Sequence, residues 1–384
     1  MTSANPGSPR ILILTVPHGA SHQRAANALR TALLEIQPGV QVEVVNALDH
    51  CARWFRAYYN AYEIPLKYWP SLWGWIERFQ DKQGATSPDW LNRRGAQPLF
   101  RFIQRFAPDV VIATEVGICE LAAMFKREAN APFGLVGVEL MDFHPAWVQP
   151  EIDLFLATHE DLAAELVAAG APRNKVVTCG QPIDPAFLSL PDRESARQRL
   201  GIELDVPLLL VLFGGAGIAK PRRILKEIKK LKQLFQVVFI CGRNQRLEKE
   251  IRKRGRGLPH CCALGWVNNM HEWMVAADLL ISKPGGSTLT EAFACGLPML
   301  AFDPHPGNEE RTCGWIERWG VGHWVKRPQD LAPALERLSE KRDELQRLRE
   351  RALSLARPRA AYDAAREILQ LCPGGGSEKP EARS

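Results

Sequence analysis

The stretch ISKPGGSTLTEAFACGLPML, Ile281 to Leu300, joins an apolar segment to a helical one through a proline and two glycines. The apolar segment has the composition of a buried strand ending at Ser282, and we expect a helix to begin near Ser287. Backbone amides in the first turn of such a helix lack intrahelical acceptors, and the helix dipole favours negative charge there. The stretch therefore predicts an anion site; the alternative is a capped helix in which Gly285 and Gly286 only permit a tight turn.

The same alternation of apolar strand and amphipathic helix recurs along the chain, and it is typical of parallel sheets wrapped by helices, the α/β class. Five strands are predicted in the first half and six in the second, so each half is expected to be Rossmann-like. The predicted strands are Arg10–Val16, Gln41–Ala47, Asp109–Thr114, Phe133–Leu140, Leu154–Thr158, Pro207–Phe213, Val237–Cys241, Cys261–Leu264, Asp278–Ser282, Pro298–Phe302 and His323–Lys326.

Prolines interrupt the pattern at Gly180–Phe187, which sets the predicted domain boundary. We expect an N-terminal domain over 10–180, a C-terminal domain over 181–355, a final helix over 356–371 and a disordered tail over 372–384. Open α/β sheets bind ligands at the carboxyl ends of their strands, so two such edges are expected to face a central cleft.

Composition narrows the class of function. The 384 residues are 46% hydrophobic and 24% charged, as in a globular protein, and the net charge of +6 is too weak for a dedicated nucleic-acid binder. The nine cysteines contain no C-x-x-C pair, which favours a reduced, cytoplasmic protein without a zinc site. The start of the chain lacks a signal-peptide core and the run 206–219 is too short to cross a bilayer, so any membrane contact is expected to be peripheral.

A second glycine loop, LFGGAGIAK at Leu212–Lys220, follows another strand of the second half. It lacks the G-K-[ST] ending of a Walker loop and the full G-x-G-x-x-G pattern, so it matches neither of these phosphate-binding motifs. Because it ends at the same predicted sheet edge as the Pro284 turn, the two loops together favour a phosphate-bearing ligand.

Several motifs together resemble family 28 glycosyltransferases, in particular the processive diacylglycerol glucosyltransferases and the monogalactosyldiacylglycerol synthases. In the second half these are ISKPGGSTLTEAFACGLPML, FDPHPGNEE, CGRNQRLEKEI and LGWVNNMHEWMVAADLLI; in the first half they are GASHQRAANAL and the segment from MDFHPAW to GQPIDPAF. The resemblance covers about residues 10 to 355. It implies a GT-B fold and inverting transfer of a hexose from a UDP-sugar to a lipid hydroxyl such as that of diacylglycerol, by an acceptor-binding first domain and a donor-binding second domain.

The resemblance also implies the donor contacts. The diphosphate would be held by Gly285, Gly286, Ser287 and Thr288 together with Ala216 and Gly217, and the ribose would be bound by Glu291. The donor sugar would contact Asn308 and Glu309, and the uracil would contact Gly242, Arg243, Trp266 and Val267. This chain has Asn308 and Thr312 where the family has glutamine and asparagine, so the sequence leaves the donor sugar open. Two alternatives stay open: an N-acetylglucosaminyltransferase acting on another lipid-linked acceptor, and a non-catalytic nucleotide-sugar-binding protein.

Transfer to an alcohol needs a base and a stabilised leaving group. His22 is the first candidate for the base, with Asp142 and His144 as residues that orient it or receive the acceptor hydroxyl. The alternative is that His22 caps its helix while the other two order a loop. No D-x-D triplet is present, so no metal or cofactor is expected, and the helix N-terminus would stabilise the diphosphate instead.

Between the second and third predicted strands lies an insertion of about sixty residues that is rich in aromatic and basic side chains. From Cys51 to Arg105 it holds nine Lys or Arg against four Asp or Glu. Such rings and charges favour an anionic membrane interface, here the inner face of the membrane. The alternative is a helical hairpin packed on the first sheet. The candidate membrane and acceptor residues are Trp54, Tyr58, Tyr62, Trp69, Trp73 and Trp75.

Overall fold

A computed structural model describes residues 8–17, 21–61, 87–141, 143–213, 221–231, 235–256, 258, 260–304 and 307–373. The chain divides into two compact units. Unit 1 comprises Met1–Asp184 and Arg359–Ser384, and unit 2 comprises Pro185–Pro358. Several residues for which the sequence predicts a role lie outside the described part of the chain. They are Tyr62, Trp69, Trp73, Trp75, Asp142, Ala216, Gly217 and the tail from 374.

Unit 1 is built on a six-stranded parallel sheet in the order β2-β1-β3-β4-β5-β6. Its strands are β1 (Arg10–Thr15), β2 (Gln41–Asn46), β3 (Val110–Ala113), β4 (Gly134–Val138), β5 (Leu154–Ala157) and β6 (Val176–Thr178). The five strands predicted for this half are confirmed. The sixth, β6, was missed because it has three residues, all half-buried, at the edge of the sheet.

Helices cover both faces of this sheet, which is why its strands are apolar on both sides. The helices before the domain crossing are α1 (Ser21–Ile36), α2 (Arg53–Asn60), α3 (Asp89–Phe106), α4 (Val116–Ala129) and α5 (Glu160–Ala168). Leu12 and Leu14 belong to one buried cluster, with residues of α2, α3 and α4, whereas Ile11 and Ile13 belong to another, with residues of α1. The alternation of side chains along β1 thus supplies both cores.

Unit 2 has its own six-stranded parallel sheet in the order β12-β11-β10-β7-β8-β9. All six predicted strands are confirmed: β7 (Leu208–Leu212), β8 (Gln236–Ile240), β9 (Cys261–Leu264), β10 (Leu279–Ser282), β11 (Met299–Phe302) and β12 (Gly322–Val325). Its helices are α6 (Arg193–Leu200), α7 (Pro221–Ile228), α8 (Gln245–Arg254), α9 (Met270–Ala276), α10 (Gly286–Ala294), α11 (Asn308–Trp319), α12 (Leu331–Glu340) and α13 (Arg342–Ser354).

The last helix, α14 (Ala360–Leu369), returns the chain to unit 1 and packs on α1. Its buried side chains, among them Ala361 and Ile368, join the core cluster of α1. At the surface the Tyr362 hydroxyl donates to Glu35 Oε2 over 2.5 Å. The helix predicted at 356–371 is therefore part of the first unit's core.

In each sheet, the direction in which successive strands are added reverses at one place, the topological switch point. In unit 1 the chain builds outward from β1 to β2 on one side and then to β3 on the other, so the switch point lies between β1 and β3. In unit 2 the corresponding switch point lies between β7 and β10. Ligands of open α/β sheets bind outside the carboxyl ends of the strands at such points, which fixes where to look for each site.

Candidate active site

His22 connects the two strands at the switch point of unit 1, because it follows β1 and contacts the residue that follows β3. His22 lies in the first turn of α1, after β1, and its Nδ1 is 2.5 Å from the main-chain oxygen of Thr114, the residue that follows β3. A carbonyl oxygen only accepts hydrogen bonds, so Nδ1 carries a proton, and in the neutral ring Nε2 therefore keeps its lone pair. Within the described part of the chain Nε2 has no partner. His22 thus presents a basic nitrogen and does not use Nδ1 to cap its own helix.

The residue after Thr114 connects this point to α2. The Glu115 carboxylate caps α4 by accepting from the Ile118 amide over 2.9 Å, and it also accepts from the Tyr59 hydroxyl over 2.6 Å. Sequence analysis missed both Tyr59 and Glu115. The available signal was an acidic residue at a helix N-cap directly after a buried strand.

The segment around His144 is ordered by local contacts. His144 Nδ1 accepts from the Ala146 amide over 3.0 Å and so caps the short helix Pro145–Trp147, which places the proton of a neutral ring on Nε2. Trp147 is 1% exposed and lies against Gly137 of β4, so the H-x-x-W spacing anchors this loop in the core. Met141 has φ of 70°, a left-handed conformation that costs energy for a side chain of this size.

A buried carboxylate that sequence analysis missed lies at the same sheet edge. Glu139 directly follows β4 and is 2% exposed. Thr158, which follows β5, donates its amide to Glu139 Oε2 over 3.3 Å and its hydroxyl to the Glu139 main-chain oxygen over 2.8 Å. The signal was an acidic residue at the end of an apolar strand, and Glu139 adds a buried carboxylate to the edge that already carries His22, Glu115 and His144.

In unit 2 the turn after β10 has the geometry of an anion site. The strand ends at Ser282, and the N-cap of α10 is Gly285, which has no side chain to accept from the first-turn amides. A Cβ atom built on Gly285 would meet no heavy atom of the described residues within 4 Å, apart from its chain neighbours. Space therefore lies open beside the positive end of this helix.

The other residues predicted for this turn lie in the first two turns of α10. Gly286 is its first residue, Thr288 is half-buried, and Ser287 and Glu291 are each 3% exposed. The side chain of Glu291 is thus buried, in the second turn of the helix.

At the ends of β8 and β9 the predicted uracil residues come together. Gly242 has φ of 59°. A Cβ built on Gly265 would lie 3.7 Å from the main-chain oxygen of Gly242, so the two glycines are close together. The Arg243 guanidinium lies 4.8 Å from the centre of the Trp266 ring, and that ring is 50% exposed. Val267 is half-buried beside it. An exposed aromatic ring with a cation on one face is a surface suited to a planar base.

The predicted sugar residues begin α11, after β11. Asn308 is exposed and Glu309 half-buried, and both follow Gly307, whose φ is 90°. Thr312 is 3% exposed and its hydroxyl donates to the Asn308 main-chain oxygen over 3.0 Å, so its polar group serves its own helix.

The strand order arranges these clusters in sequence along one edge. The predicted base contacts follow β8 and β9, the predicted phosphate contacts follow β7 and β10, and the predicted sugar contacts follow β11. Strands are about 4.8 Å apart, so the four steps from β9 to β11 span roughly 19 Å. A single ligand that reaches all three clusters is elongated, with its anionic part at the centre, as a nucleotide-sugar is.

The described part of the insertion presents aromatic side chains to solvent. Trp54 and Tyr58, one turn apart on α2, are each 44% exposed, while Phe55 is fully buried. Trp90 at the start of α3 is 66% exposed and was missed by sequence analysis. The Tyr58 hydroxyl lies 3.1 Å from Ser87 Oγ. None of the helices in the described ranges is long and apolar enough to cross a membrane.

Comparison with known proteins agrees with this architecture. The sequence model of monogalactosyldiacylglycerol synthase matches residues 22–183, and that of glycosyl transferases group 1 matches residues 192–354. Monogalactosyldiacylglycerol synthase 3 of Arabidopsis thaliana is 24% identical, over 94% of this chain and 81% of its own length. The processive diacylglycerol beta-glucosyltransferase of Staphylococcus carnosus is 23% identical, over 94% of this chain and 93% of its own.

Solved structures share the fold at lower identity. MurG of Acinetobacter baumannii superposes with a TM-score of 0.63 at 14% identity, over 94% of this chain and 99% of its own. Anabaena HepE in complex with UDP-glucose gives 0.56 at 15% identity, with the same coverage. Together with the two parallel sheets, these structures show that the chain has the GT-B fold. The sequence models and the curated relatives, which are glycosyltransferases, place the chain among the glycosyltransferases.

Within that class the chain is related to the monogalactosyldiacylglycerol synthases and the processive diacylglycerol glucosyltransferases. The resemblance drawn from the motifs is thereby confirmed.

Proposed function

We propose that this chain transfers a hexose from a UDP-sugar to the free hydroxyl of a diacylglycerol, with inversion at the anomeric carbon. The observation that carries the proposal is the hydrogen bond from His22 Nδ1 to Thr114, which leaves a basic nitrogen at the switch point of unit 1. The names of the two related enzymes, which describe transfer to diacylglycerol, support the same acceptor.

In the proposed reaction His22 Nε2 accepts the proton of the acceptor hydroxyl as its oxygen attacks the anomeric carbon of the sugar. The bond from that carbon to the diphosphate oxygen breaks, and UDP leaves with the electron pair. The Thr114 carbonyl keeps the imidazole in the required tautomer and favours the imidazolium that forms. Inversion follows because attack and departure take place on opposite faces of the sugar.

The leaving diphosphate would be stabilised by the N-terminus of α10. Amides of its first turn donate to phosphate oxygens, and the open space at Gly285 admits them at close range. Removal of one preorganised donor to a developing anion typically slows a reaction by about 10²–10³-fold. Lys283, in the same turn, adds positive charge. On this basis no divalent cation is needed for catalysis, and turnover should persist in excess EDTA.

We also propose that an aromatic surface formed by Trp54, Tyr58 and Trp90 rests on the anionic inner face of the membrane, where the acceptor lipid lies. The three rings are exposed, and the neighbouring Arg53 and Arg94 are exposed as well. Each basic residue near such a surface contributes about 1 kcal/mol of attraction. Replacement of all three rings by alanine should abolish sedimentation with phosphatidylglycerol vesicles, whereas Leu204→Ala with Leu353→Ala, exposed apolar residues of unit 2, should not.

The activity itself is tested with purified protein, vesicles that contain diacylglycerol, and UDP-glucose, UDP-galactose or UDP-N-acetylglucosamine in separate reactions. The expected result is release of UDP that depends on diacylglycerol, together with a new glycolipid, for one of the hexose donors. Binding of UDP-sugars without turnover under these conditions would refute the proposal in favour of a binding protein. Turnover only with UDP-N-acetylglucosamine would refute hexose transfer.

A further inference from the structure

Unit 2 contains a cavity at the edge of its sheet opposite to the proposed donor site. Its lining includes Pro207 and Asp278, which immediately precede β7 and β10, so it lies at the amino ends of these strands. The residues predicted to hold the diphosphate follow the carboxyl end of β10. Because it lies at the opposite end of these strands, the cavity is distinct from the proposed nucleotide-sugar site, and its volume is about 290 Å³.

The polar side of this cavity carries more positive than negative charge. The Asp278 carboxylate lies at its edge, and both of its oxygens are already engaged: it accepts from Arg193, from Arg197 over 2.7 Å and from the Leu208 amide over 2.8 Å. Arg197 is further held by main-chain oxygens, with Asp205 as a weaker electrostatic partner.

Arg349, which lines the cavity, is the third guanidinium near this carboxylate. Its side chain is only 26% exposed, and its Nη2 lies 4.0 Å from Asp278 Oδ1, too far for a hydrogen bond. Among the described residues it makes none. Burial and the charges of Arg193 and Arg197 lower the pKa of Arg349, although a guanidinium stays protonated in proteins. A largely buried cation without a hydrogen-bonded partner is costly, and a bound anion would remove that cost.

The rest of the lining is largely apolar. Leu345 is half-buried, and Phe235 and Leu279 are 7% and 4% exposed, so these side chains form the accessible apolar wall, whereas Leu209 and Leu338 lie beneath it at 0% and 1% exposure. Arg342, which is exposed and makes no ion pair within the described ranges, lies at the cavity as a second cation. One ligand that satisfies both sides has an anionic head and an apolar tail.

We propose that this cavity binds a single-chain amphiphilic carboxylate, with its head on Arg349 and Arg342 and its tail against Leu345, Leu279 and Phe235. A water molecule occupies about 30 Å³ of liquid, so 290 Å³ holds about ten water-sized groups, which is the size of a medium-chain fatty acid and too small for a two-chain lipid. The binding site itself is independent of the proposed glycosyl transfer.

The test is calorimetric titration of the full chain, without UDP-sugar, with butanoate, hexanoate and octanoate. Each added methylene that enters an apolar cavity contributes about 0.8 kcal/mol, so affinity should rise roughly fourfold per methylene along the series. Octanol, which has the tail without the charge, and inorganic phosphate, which has charge without the tail, should bind at least tenfold more weakly than octanoate. Equal binding of octanol or of phosphate, or no dependence on chain length, would overturn the proposal.

Variants locate the site. Arg349→Gln should weaken octanoate at least tenfold, because a hydrogen bond to a charged group contributes about 1.5–3 kcal/mol. Arg342→Gln, at an exposed position, keeps the test valid if the first variant does not fold. Arg347→Gln is the matched control: it lies on the same helix, is exposed and does not line the cavity. Octanoate affinity unchanged by Arg342→Gln and Arg349→Gln would overturn the assignment.

Discussion

His22 is the side chain whose loss should separate sugar transfer from donor binding. Its hydrogen bond to Thr114 places it in unit 1, whereas every predicted donor contact lies in unit 2. General bases contribute about 10²–10⁴-fold to rate, so His22→Ala should lower kcat by that factor and leave UDP affinity within about twofold. Single-turnover rates and UDP titration measure the two quantities. His260→Ala, at a 40% exposed histidine of unit 2, is the control. Normal turnover of His22→Ala would refute the base assignment.

Gly285 tests the anion site without disturbing the fold. Its φ of −69° and ψ of 139° suit alanine, and the space around its missing Cβ is open within the described structure. Gly285→Ala should therefore change the free energy of unfolding by less than about 1 kcal/mol. The methyl group would occupy space that the diphosphate needs, so the dissociation constant for UDP should rise at least tenfold.

Gly314→Ala is the matched control for that variant. A Cβ at Gly314 on α11 also meets no described atom within 4 Å, but the position is exposed and is not among the donor residues. UDP affinity should be unchanged there. If both variants bind UDP normally, the α10 N-terminus does not hold the diphosphate.

At the scale of elements, the packing of α2 on α3 depends on one glycine. A Cβ at Gly95 would lie 2.7 Å from Phe55 Cβ and closer to the ring, and Phe55 is fully buried. Overpacking of this kind typically costs 1–3 kcal/mol, so Gly95→Ala should lower the free energy of unfolding by about that amount. Because α2 carries Trp54 and Tyr58, the variant should also weaken vesicle binding.

A double-mutant cycle identifies the cause. In a Phe55→Ala background the clash is absent, so Gly95→Ala should cost less than in the native chain by at least about 1 kcal/mol. Denaturant titrations of the four proteins give the coupling energy. Additive costs would show that the methyl group clashes elsewhere.

Elements were predictable from sequence where they are long and apolar. Eleven strands of four residues or more gave apolar runs that the fold retains, and β6, with three half-buried residues, did not. The motif residues could be assigned to strand ends and helix starts, because those positions follow from the alternation itself. Their partners could not: the bond from His22 to Thr114 joins residues 92 apart, and the burial of Glu139 depends on β5.

At the scale of the whole molecule, the sequence pattern predicted a final helix but not the unit that holds it. The amphipathic pattern of α14 shows that one face is buried, whereas its partner α1 lies more than 300 residues earlier in the chain. The small residues Ala361, Ala364 and Ala365 allow the close approach of the two helices. Such a long-range pairing depends on the complementary shapes of the two helix surfaces, which the local periodicity of the sequence does not reveal.

This pairing makes a prediction about which part of the molecule α14 stabilises. Ile368 is fully buried in the core of unit 1, and unit 2 has a separate core. Ile368→Ala should cost 2–5 kcal/mol and increase amide hydrogen exchange in α1 and β1, because a buried isoleucine leaves a cavity. Gln370→Ala, at the exposed C-cap of the same helix, should change neither the free energy of unfolding nor the exchange in α1 and β1. Exchange in α10 and the affinity for UDP should stay at native values, since their contacts lie in unit 2. Equal loss of protection in α1 and α10 would mean that the final helix supports both cores, contrary to the division of the chain seen here.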